Sequence, residues 1–175
     1  MKRKVVTFLL IIACFLIQST VWPLLPFGTV TPNFLMVLTV SFALMHGSRS
    51  GVLTGFVSGL LVDIMYGSLI GMNALLFMLA GYLTGKVYQV FFDDDIKAPL
   101  LLVGISQFCY GIIYYIIQFI FGTRHEFGAY MLKAFLPELI YTLIITVLIY
   151  WIFYKINKKL QEDETEDDES QWLIR

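Results

Sequence analysis

Between Lys4 and Arg49 the chain runs through 44 consecutive residues without a formal charge. A transmembrane helix takes about 20 apolar residues, within a range of about 17–25, so this stretch is long enough for two. Pro23, Pro26 and Pro32 punctuate its middle and predict a loop between apolar segments over 5–22 and 33–46. A third segment, 51–66, follows Arg49 and carries Asp63. A fourth, 69–92, stops at the charged run Asp93-Asp94-Asp95-Ile96-Lys97. The fifth, 98–121, is free of charge, and the sixth, 130–154, carries Lys133 near its start and Glu138 directly after Pro137. The pattern therefore predicts an all-α integral membrane protein, a compact bundle of six transmembrane helices over residues 1–160. Segments two and three are short for full spans; a re-entrant hairpin over 33–66, buried by its neighbours, is the alternative.

Composition supports the membrane class and sharpens it. Apolar residues make up 58% of the chain and charged residues only 14%, against about 45–50% and about 25% in soluble domains. Eleven of the 25 charges fall in residues 155–175, which leaves 14 for the first 154 residues. So sparse a set cannot clothe the surface of a soluble fold, which excludes a soluble enzyme, a nucleic-acid binder and a disordered chain. The stretch 161–175 is acidic, with Glu162, Asp163, Glu164, Glu166, Asp167, Asp168 and Glu169, and is expected to be a flexible, solvated tail. A strip that docks a basic partner is its sharper alternative.

Cations orient the bundle, because Lys and Arg concentrate in cytoplasmic loops. With six spans and the N-terminus inside, the inner side holds Lys2, Arg3, Lys4, Arg49, Lys86, Lys97, Lys155, Lys158, Lys159 and Arg175, and the outer side only Arg124 and Lys133. Both termini are then cytoplasmic, and Trp22 and Trp151 lie near opposite interfaces. Lys2-Arg3-Lys4 before an apolar run also has the shape of a signal peptide. Gln18-Ser19-Thr20-Val21-Trp22-Pro23 offers a poor small-x-small cleavage site, so the segment is expected to be retained.

Three features inside the membrane are candidates for function. Gly51, Gly55, Gly59, Asp63, Gly67 and Gly71 recur at four-residue spacing, and Gly81 and Gly85 repeat the spacing in the fourth segment. Residues four apart share a helix face, and small residues let helices approach closely in lipid. Such a face serves either packing within the chain or docking of a partner's transmembrane helix. Asp63 lies on the same face, and a carboxylate at membrane depth needs a partner or a cap. Capping the turn at Gly67-Ser68, capping the next helix, and recognising a partner are the readings open to it. Glu138, after Pro137, has Lys133 five residues earlier as a reachable partner, so Asp63, Lys133 and Glu138 form a possible polar cluster in the outer half.

Catalytic and metal chemistry find no support. His46 and His125 fall on opposite sides of the membrane, and Cys14 and Cys109 sit apart in apolar runs and read as small hydrophobes. No phosphate-binding loop, nucleophile elbow or metal motif is present, so no cofactor and no metal are expected. Phe108, Tyr110, Tyr114 and Tyr115 make the fifth segment aromatic-rich, which reads as packing rather than a ligand cage.

The stretch Pro32-Asn33-Phe34-Leu35, then Gly51-Val52-Leu53-Thr54-Gly55-Phe56-Val57-Ser58-Gly59-Leu60-Leu61-Val62-Asp63, then Leu69-Ile70-Gly71, resembles the rod shape-determining MreD family. Length, the Lys-rich N-terminus, the charged loop near residue 95 and the polar tail extend the resemblance over nearly the whole chain. The resemblance implies a non-enzymatic scaffold or regulator of the bacterial cell-elongation machinery, in the cell membrane. It would act on lateral peptidoglycan synthesis with MreC, and directly or indirectly with MreB, RodA and a class B penicillin-binding protein. Gly55, Gly59, Asp63 and Gly71 match the motif. Family resemblance also extends to the six-helix substrate-binding subunits of energy-coupling vitamin transporters. That alternative predicts a polar cavity near the outer face around Trp22, Asp63, Glu138 and the tyrosines. The scaffold reading predicts a collapsed interior and a lateral groove along Gly51, Gly55 and Gly59. A third reading, a membrane-embedded enzyme, lacks the clustered His, Asp or Ser residues it needs.

Overall fold

A computed structural model describes residues 2–24, 30–67, 70–87, 97–121 and 127–173, and every element among them is helical. Helix α1 covers Lys2–Leu16 and continues through a π turn, Ile17–Val21, and a 3₁₀ turn, Trp22–Leu24, that carries Pro23. Helix α2 is Phe34–Tyr66, α3 Met72–Val87, α4 Lys97–Ile120 and α5 the short Phe127–Tyr130. A second π turn, Met131–Phe135, leads into α6, Leu136–Leu173. The charged run 93–96 and His125 lie outside the described residues.

One glycine decides the shape of α2. Gly47 has φ 77° and ψ −177°, a backbone that only glycine enters freely, and it breaks the helix into arms 34–46 and 48–66. In a straight helix, residues eight apart are about 12 Å apart along the axis. Here a Cβ built on Gly51 would come within 2.6 Å of the Ala43 Cβ, so the chain folds back at Gly47. The first arm is the centre of the protein. Leu35, Met36, Val37, Leu38, Thr39 and Val40 are all 0% exposed, as befits a helix apolar on all sides. Ile11 and Cys14 of α1, Phe77 of α3, Val103 of α4 and Ile145 of α6 complete the core around it.

Among the described residues, three helices are long and apolar enough to cross a membrane: Val5–Leu24, Pro99–Ile120 and Met131–Ile152. Helix α3 is shorter, with 16 residues, or about 24 Å against a hydrocarbon core of about 30 Å. The arm 34–46 is shorter still and is surrounded by other helices, the setting in which short elements are tolerated at membrane depth. Helix α6 runs on through the acidic stretch to Leu173. Leu160, Gln161, Glu162, Glu164 and Glu166 are good helix formers, and they prolong a helix that packing has already nucleated.

Candidate functional site

The glycine ladder is filled by the chain itself. A Cβ on Gly55 would lie 2.4 Å from the Phe77 carbonyl oxygen, and one on Gly59 2.4 Å from the Ala74 Cα. Gly51 and Gly81 face each other with the same closeness, and Gly85 abuts the backbone of Ser48. The pairs 48–85, 51–81, 55–77 and 59–74 run in opposite directions along the two elements, so the arm 48–66 lies antiparallel on α3, backbone against backbone. The lateral groove expected along Gly51, Gly55 and Gly59 is therefore absent, because α3 occupies that face. Gly71 serves differently: its φ of 100° turns the chain into α3.

Asp63 closes the open end of this hairpin. Its Oδ1 accepts from the Asn73 backbone N–H at 3.0 Å and from Asn73 Nδ2 at 2.9 Å. Its Oδ2 accepts from the N–H groups of Gly71 at 2.9 Å and Ala74 at 3.0 Å. The carboxylate thus caps the next helix, satisfying first-turn N–H groups of α3 that have no partner within their own helix. Its negative charge also sits at the positive end of the α3 dipole. Of the readings open to it, the capping of the following helix is the one the geometry carries.

From Asn73 the polar contacts continue into α4, where Tyr110 Oη donates to Asn73 Oδ1 at 2.8 Å. One turn earlier on the same helix, Gln107 is 1% exposed. Gln107 Nε2 donates to Glu138 Oε1 at 2.8 Å, and Gln107 Oε1 accepts from Asn33 Nδ2 at 3.2 Å. Asn33 is the N-cap of α2, its Oδ1 accepting from Met36 N. Its own N–H donates to Thr142 Oγ1, which in turn donates to the Glu138 carbonyl. Asn33, Gln107, Glu138 and Thr142 so tie the starts of α2 and α6 to the middle of α4.

The expected cluster of Asp63, Lys133 and Glu138 does not form as drawn. Asp63 and Glu138 belong to the two halves of the polar contacts, while Lys133 sits in the π turn and is exposed. Glu138 takes Gln107 as its partner instead, because the π turn and Pro137 set it on the face toward α4. Aromatic rings pack around this region. Trp22 meets Phe34 and Tyr141 edge-on, and Tyr110 stacks on Tyr114. The Trp22 indole N–H also donates to the Val30 carbonyl at 2.9 Å, fixing the loop ahead of α2. Gly111 admits the Phe135 ring against α4. His46 stacks on Phe42 at 5.4 Å.

Asn33, Asn73, Gln107, Tyr110 and Thr142 carry as much of this network as the two carboxylates, yet a search for charge in apolar segments passes over them. The available signal was an uncharged amide or hydroxyl at membrane depth, which also demands a partner there. Among the described residues, no group of three or more His, Cys, Asp or Glu side chains is placed to hold a metal ion. A family model described as rod shape-determining protein MreD matches residues 1–160. No solved structure matches the chain.

Proposed function

The chain belongs to the MreD family of rod shape-determining proteins, and from that premise we propose that it is a non-enzymatic membrane scaffold of the cell-elongation machinery. The family's role is rod shape determination, and among the described residues three helices are long and apolar enough to span a membrane. The finer reading is ours. It crosses the membrane six times with both termini cytoplasmic, and associates with MreC and through it with MreB, RodA and a class B penicillin-binding protein.

One observation carries the scaffold reading: the two carboxylates at membrane depth, Asp63 and Glu138, are spent on groups of the chain itself. Asp63 is engaged by Gly71, Asn73 and Ala74, and Glu138 by Gln107, which also holds Asn33. A subunit that binds a small polar molecule would present such groups to a cavity. Here they lock five segments into one body, and exposed apolar side chains such as Phe8, Ile116, Ile144 and Leu148 are left on α1, α4 and α6. Those faces, not the glycine face, are where another protein's transmembrane helix meets this one.

The test is depletion of the protein followed by microscopy, with co-purification of MreC from the same cells. Rounded cells and recovery of MreC with the tagged protein are expected. Rod-shaped cells that have become vitamin auxotrophs would overturn the scaffold reading in favour of transport.

A further inference from the structure

We draw no further inference here: the strongest candidate, the apolar face of the α2–α3 hairpin along Val52, Phe56, Leu60, Leu75, Met78 and Tyr82, carries nothing because nothing in the structure shows what covers it.

Discussion

Replacing Asp63 by Asn exchanges one carboxylate oxygen for an NH₂ group and should unfasten the start of α3. The carboxylate receives four hydrogen bonds, two on each oxygen. An asparagine keeps one acceptor oxygen and turns an NH₂ group toward two N–H donors, so two of the four bonds are lost whichever way the amide points. Hydrogen bonds to charged groups contribute about 1.5–3 kcal/mol each, while side-chain bonds measured inside membranes average about 0.6 and reach about 1.7 kcal/mol. The site is buried, with Asp63 at 1% exposed, but it lies at a helix end where dipole and backbone add to the pair. A loss of about 3 kcal/mol is expected from these limits. In a chain of this size that corresponds to a fall of roughly 6–12 °C in Tm. Thermal unfolding of the purified protein in detergent, followed by circular dichroism, measures the fall. Hydrogen exchange locates it: the amides of residues 71–76 should lose protection, and those of 136–150 should not. A Tm within about 2 °C of wild type, with unchanged exchange at Gly71 and Ala74, would refute the capping account. Loss of rod shape at undiminished protein level and stability would instead give Asp63 a role in partner recognition.

Other substitutions separate packing from polar contact. Gly59→Ala should destabilise by about 2 kcal/mol or more, because its methyl meets the backbone of Ala74 rather than a movable side chain; steady-state level in membranes measures it. Gly104→Ala, whose nearest neighbour would be the Leu143 Cδ2 at 3.4 Å, should leave that level unchanged. Gln107→Leu strands the Asn33 amide and Glu138 and should lower stability by about 1–3 kcal/mol, read from the same melting curves. Glu138→Gln keeps an oxygen for Gln107 Nε2 and should preserve rod shape in a complementation assay; round cells at normal protein level would show that its charge is used.

Several starts and breaks of the described helices coincide with a polar stop in an apolar run. The start of α2 at Phe34, the break near Gly47 and the start of α4 at Lys97 all fall close to Pro32-Asn33, the His46–Arg49 interval and the charged run before residue 98. Four-residue glycine spacing identified a face but not its occupant, since the same spacing serves an internal helix or a foreign one. Only the fold-back at Gly47 and the antiparallel register with α3 resolve that. The pairing of Glu138 was misread for a similar reason. Lys133 is near in sequence, but the π turn between them sets their directions, and a π turn has no signature in spacing. Gln107 and Asn33, distant in sequence, supply the contacts instead.

The arrangement separates what builds the body from what remains for partners. In lipid, apolar contact gains little over acyl chains, so small residues and polar pairs are the scarce means of joining helices. This chain places Gly51, Gly55, Gly59, Gly81 and Gly85, with Asp63 and Asn73, in the α2–α3 hairpin, and Asn33, Gln107, Glu138 and Thr142 in the tie to α4 and α6. Disturbing either set removes the folded body before it removes a partner. A failure of Gly55→Leu to co-purify MreC is therefore a folding defect unless protein level and melting are unchanged, because its side chain would enter the Phe77 backbone. Partner defects at normal protein level belong on exposed residues of α1, α4 and α6, such as Leu9, Ile116 and Trp151. There a substitution alters a contacting surface without opening the core, and a scan that records shape and abundance together divides the chain along that line.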